Sequence, residues 1–95
     1  MTDRITYKML QGLCDYLNKL TNSPATSYAQ GEDGKYHAQI GNYHISGAYG
    51  GVNLERICND GGAITQPIGG GFKTKRELYN LITAYIRGIE AQKQS

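Results

Sequence analysis

Tryptophan is absent from this chain, phenylalanine occurs once, and proline and cysteine occur twice each. Two prolines exclude polyproline-type and low-complexity architectures. Two cysteines cannot make a disulfide framework. Cys14 falls in a helical pattern and Cys58 at the end of a strand, so both read as buried thiols in a reducing cytoplasm. Net charge is also scarce: ten basic against eight acidic residues leave +2. That excludes both a protein that coats DNA through a strongly basic face and an acidic mimic of DNA. Nowhere is there an apolar run of about 18 residues, so no membrane span or membrane partner is expected. Met1-Thr2-Asp3-Arg4 leads directly into an amphipathic segment, which argues against a secretory signal.

What remains is glycine, tyrosine and periodicity: thirteen glycines and eight tyrosines in 95 residues, read as one domain spanning 1–95. Ile5, Met9, Leu10, Leu13, Tyr16, Leu17 and Leu20 recur every three or four residues, predicting a helix over 1–21 capped by Thr2 or Asp3. Gly12 interrupts it, a place for close approach by another element. Asn22 and Pro24 in "TNSP" stop it. "ATSYAQ" (25–30) is extended but weakly patterned, and "EDG" (32–34) signals a turn. A three-stranded antiparallel meander is predicted over 36–59, turning at Gly41-Asn42 and at Gly50-Gly51. Residues 60–73 form a glycine-rich loop, with a short edge strand at 63–66 and Pro67 barring a central one.

The last helix, 74–91, has the clearest start. Thr74-Lys75-Arg76-Glu77 is a T-x-x-E capping box, followed by a stripe of Leu78, Leu81, Ile82, Tyr85, Ile86 and Ile89. It is expected to fray after Gly88, leaving a tail at 92–95. The fold class is therefore α+β in the order α-β-β-β-α, with two helices packed on one face of the meander.

Two sets of residues stand out as binding candidates. Lys73, Lys75 and Arg76 put cations at a helix N-terminus, where the dipole favours anions. With Gly69, Gly70, Gly71 and Thr74 they make a candidate anion or partner site. Tyr36, Tyr43, His44 and Tyr49 form a candidate contact set on the sheet. Tyr43, Ile45, Gly47 and Tyr49 share one face and His44 and Ser46 the other; alternation alone leaves open which face is dry. His37, His44 and Cys58 lack metal-ligand spacing, and Ser46 near His44 is no nucleophile–base set. No enzyme activity, metal or cofactor is expected.

Helix, meander and helix with basic "GGGFKTKRE" resembles, in topology, the double-stranded RNA-binding domain, whose second helix meets phosphates through lysines. That family's alanine-rich helix is replaced here by "LYNLITAYI". "TNSP", "IGNYHISGAYGGVNLERICNDGG" and "TKRELYNLI" are similar to small accessory proteins of tailed bacteriophages, over Leu17 to Ile89. That resemblance implies a viral protein made in a bacterial cytoplasm, which inhibits a host protein or ribonucleoprotein by steric occlusion, in the manner of anti-CRISPR and other anti-defence proteins. A nucleic-acid-binding module and a protein sequestering a phosphate-bearing nucleotide are the alternatives. The small core and open sheet face make a homodimer a further expectation.

Overall fold

The computed structural model describes residues 4–93 and has two helices with five short strands. In chain order these are α1 (Tyr7–Leu20), β1 (Tyr28–Gln30), β2 (Tyr36–Ala38), β3 (Tyr43–Ala48), β4 (Gly51–Ile57), β5 (Ile64–Thr65) and α2 (Lys75–Lys93). The layout is α+β, and β3-β4-β5 is an antiparallel meander with both helices packed on it. The meander is displaced along the chain from its predicted position. Tyr36–Ala38 pairs backwards with Tyr28–Gln30 in a separate two-stranded sheet. The Glu32-Asp33-Gly34 turn makes that hairpin. Gly34 takes φ 79°, and Asp33 Oδ1 accepts from the Lys35 amide at 3.0 Å. Gly41-Asn42 consequently joins two sheets instead of two strands of one.

Local chemistry sets the start of α1. Thr6, not Thr2 or Asp3, is the cap: its hydroxyl accepts from the Met9 amide at 3.1 Å, and Met9 Sδ accepts from the Thr6 amide. Thr2 and Asp3 lie outside the described residues. Ile5 and Leu10 flank the cap at the spacing of a hydrophobic staple, Leu10 in the core and Ile5 half-buried against it. At α2 the predicted capping box forms, with the Glu77 amide donating to Thr74 Oγ1 at 3.1 Å and the Thr74 amide to Glu77 Oε1.

The α2 helix runs through Gly88 to Lys93 instead of fraying. An added Cβ at Gly88 or Gly12 would touch nothing within 4 Å. Gly12 thus marks no close approach, and both positions carry glycine's entropic cost without a packing return. Gly12→Ala and Gly88→Ala should each raise unfolding stability by about 1 kcal/mol in urea titrations. A loss at either site would mean that something does pack there.

The helices lie side by side and parallel. Tyr7 of α1 and Thr74 and Lys75 of α2 line one cleft, while at the far end Tyr16 Oη donates to Glu90 Oε2 at 2.5 Å and Lys93 Nζ donates to the Leu20 carbonyl. Register decides the rest. Tyr43↔Arg56, Ile45↔Leu54 and Gly47↔Val52 face the helices; His44↔Glu55, Ser46↔Asn53 and Ala48↔Gly51 face away. Leu10, Leu17, Leu54, Leu78 and Ile82 are fully buried in this core, each contributing about 1.5–3 kcal/mol by leaving water.

The β3 edge and the stretch of β4 that β5 leaves unpaired are covered by side-chain and loop contacts. Val52 exchanges both backbone hydrogen bonds with Lys73, at 2.8 and 2.9 Å, so it turns away from β3 there. Alternation then turns Tyr43, Ile45 and Gly47 outward from β4 on the opposite edge. Asn18 of α1 meets Tyr43 there, accepting from its amide at 2.8 Å and donating to its carbonyl at 3.0 Å. Tyr7 Oη donates to the Ile45 carbonyl at 3.2 Å. Helix α1 thereby stands in for a fourth strand, which blunts an edge that would otherwise recruit other chains.

Candidate interaction surface

The predicted anion site is taken apart by Lys73. Its ammonium donates to the carbonyls of Gly71 (2.9 Å), Gly69 (3.3 Å) and Gly70 (3.3 Å), and to Asn53 Oδ1 (3.2 Å). The glycines thus offer carbonyls to a cation rather than amides to an anion. Asn53, fully buried, adds Nδ2 to the Gly69 carbonyl at 3.1 Å. Thr74 is spent on its cap. Of the candidate cations, Lys75 lines the cleft, beside exposed Arg76.

The aromatic set divides too. Tyr43 is 2% exposed and belongs to the core, which corrects its assignment to the contact set. Its hydroxyl lies 3.0 Å from that of Tyr85, and the Arg56 guanidinium stacks over its ring at 4.6 Å. Burial first, then the Tyr85 hydrogen bond, pushes the Tyr43 hydroxyl up to about 12. Tyr36 is exposed, but on the β1–β2 hairpin, away from the meander. His44 lies half-buried on the face turned from the helices, between Asn42 Oδ1 (3.3 Å) and Glu55 Oε1 (3.2 Å).

Tyr49 is the outlier. It is 98% exposed, in the turn between β3 and β4, at φ 53°. With Gly50 at φ 75° it makes the two central residues of a turn with positive φ throughout, as a type I′ hairpin requires. The turn is therefore Tyr49-Gly50, one residue before the predicted Gly50-Gly51. Gly51 is kept small for another reason: a Cβ there would come within 2.8 Å of Phe72 Cβ and 3.1 Å of the Lys73 carbonyl.

An L-residue in left-handed backbone costs about 1–2 kcal/mol, and asparagine tolerates it better than tyrosine. Tyr49→Asn should stabilise the fold by about 1 kcal/mol in thermal or urea unfolding. A fall in stability would show that the Tyr49 ring, 6.0 Å from Phe72 in an edge-on pair, is held for packing.

Beside this turn a cleft of about 580 Å³ is lined by Tyr7, Gly47, Ala48, Gly50, Gly51, Val52, Thr74 and Lys75. Gly47 sits on the helix-facing side yet is exposed, because neither helix reaches that far. The surface therefore joins three separate stretches: the start of α1, the β3–β4 turn, and residues 72–75. Phe72 and Tyr7 were missed in the sequence; Phe72's position between the glycine run and the basic triplet was the available signal.

Cys14 is buried, and desolvation pushes its thiol up to about 12, with the neighbouring Asp15 charge adding to the rise. Cys58 is exposed, its Sγ donating to the Ala63 carbonyl at 3.3 Å. Among the described residues no three His, Cys, Asp or Glu side chains gather as metal ligands, and no helix is long and apolar enough to cross a membrane. Comparison with protein-family models, curated protein sequences and solved structures finds no match to this chain.

Proposed function

We propose that this is a non-enzymatic binding protein that blocks a bacterial host factor by covering its surface with the Tyr49 end of the molecule. Tyr49 carries the reading. A fully exposed ring held at a backbone conformation that costs stability needs a return outside the fold. Tyrosine supplies large contact area with little side-chain entropy to lose, the property of an interface anchor. Cys14 lies in the core, His37 pairs with Asp33 at 3.1 Å, and His44 sits between Asn42 and Glu55, so none of the three lines the cleft beside Tyr49. The resemblance to tailed-phage accessory proteins supplies the context, an anti-defence inhibitor whose target is a host protein or ribonucleoprotein.

Affinity capture from bacterial lysate tests this. Wild-type protein should retain one stoichiometric partner, and Tyr49→Asn should lose it while remaining folded. Capture of nothing by the wild type overturns the reading. Equal capture by both proteins moves the contact surface away from Tyr49.

A further inference from the structure

We propose that the Tyr49 end binds single-stranded nucleic acid. This rests on the reading of that end as the contact surface and gives its ligand a chemistry: a strand left accessible within the host factor. Two rings pair there, Tyr49 of the β3–β4 turn and Phe72 of the segment before α2, and Tyr7 of α1 lines the cleft beside the turn. Tyr7 and Phe72 are each 40% exposed and Tyr49 is 98% exposed, with the Tyr49 and Phe72 centroids 6.0 Å apart. Such rings accept unstacked bases of any sequence, since every base has a π-face. Next to the turn runs the 580 Å³ cleft, lined by Tyr7, Gly50 and Gly51 among others and within the usual range of ligand sites.

The cleft's lining is mixed: Gly47, Gly50 and Gly51 leave room for close approach, Tyr7, Ala48 and Val52 offer apolar contact, and Thr74 and Lys75 are polar. Lys75 is the charged group in the lining. The neighbouring carboxylate, Glu77, accepts from the Thr74 amide and hydroxyl through Oε1 and keeps its negative charge. A duplex would leave the Tyr49 ring without a base face to stack on.

Fluorescence anisotropy with labelled oligothymidine and oligouridine of roughly 12 nucleotides, beside a duplex of the same length, tests the proposal. At about 20 mM salt the single strands should bind and the duplex should bind more weakly. Tyr49→Asn should weaken single-strand binding by about 10-fold or more, and Lys75→Gln should lower the slope of log affinity against log salt by about 1. Tyr36→Ala, on the remote hairpin, should change nothing. No binding of single strands at low salt overturns the inference, as does equal binding of the duplex or equal loss in the Tyr36 and Tyr49 variants. Should lysate capture depend on Tyr49 and survive nuclease while both oligonucleotides fail to bind, this inference falls and the host-factor reading stands.

Discussion

Asn18→Ala should lower the unfolding free energy by about 3 kcal/mol, among the largest losses available from a polar side chain in this fold. Asn18 is 2% exposed and makes two bonds to the same residue, accepting from the Tyr43 amide and donating to its carbonyl. Its amide group thereby imitates the peptide unit of a neighbouring strand. Alanine would leave both buried backbone groups without partners. Each such orphan costs about 1–3 kcal/mol, because water cannot replace what the side chain supplied. For a domain of this size the melting temperature should drop by roughly 15 °C. Asn18→Asp should not rescue it, since a carboxylate cannot donate to the Tyr43 carbonyl. A loss below about 0.5 kcal/mol, within the scatter of surface substitutions, would show that helix α1 does not seal the β3 edge in the way described.

Lys73→Met should cost about 2 kcal/mol, against little or no cost for Lys75→Gln two residues on. Methionine keeps the stem and removes the ammonium, which bonds four oxygens from Asn53 and the three consecutive glycines. Hydrogen bonds from charged donors contribute about 1.5–3 kcal/mol, here reduced because the glycine carbonyls can turn back to water. The loop should loosen locally, so amides of residues 69–73 should exchange hydrogen faster in the variant while α2 retains protection. If Lys73→Met melts with the wild type and leaves loop exchange unchanged, the lysine is a surface cation after all and the glycine clasp has no energetic content. The contrast between Lys73 and Lys75 matters for function, because only Lys75 reaches the proposed contact cleft.

Features carried by residues close together in the chain were legible. Thr74 and Glu77 announce the start of α2 because both bonds of the capping box close within three residues. The same device at α1 went unread, since Thr6 is answered by the sulfur of Met9 rather than by glutamate or glutamine. The β3–β4 hairpin is legible from its alternation, but its turn falls at Tyr49-Gly50, one residue before the pair the sequence favours. Gly50-Gly51 looks like the stronger turn pair, whereas Gly51 is glycine because Phe72 and the Lys73 backbone crowd it from 21 and 22 positions further on. The partner of Tyr36–Ala38 is hidden from the sequence for a related reason. "ATSYAQ" has too little alternation to declare itself a strand, and only pairing makes it one.

By itself, then, the sequence determined the two helical stripes, the α2 cap, the central hairpin and the α+β class, because their signals are periodicities and contacts within a turn or two. Tertiary structure alone decided which face of β3 is dry and where Lys73 points. Strand alternation offers two equivalent faces, and the choice fell to Tyr43 and Ile45 over His44 only when both helices packed their apolar stripes on that side. The Lys73 stem is long enough to reach solvent or the loop, and pairing of its backbone with Val52, 21 residues earlier, aimed it at the glycine carbonyls. Bonds between residues that far apart leave no local pattern, since the chain must close a loop before either partner sees the other.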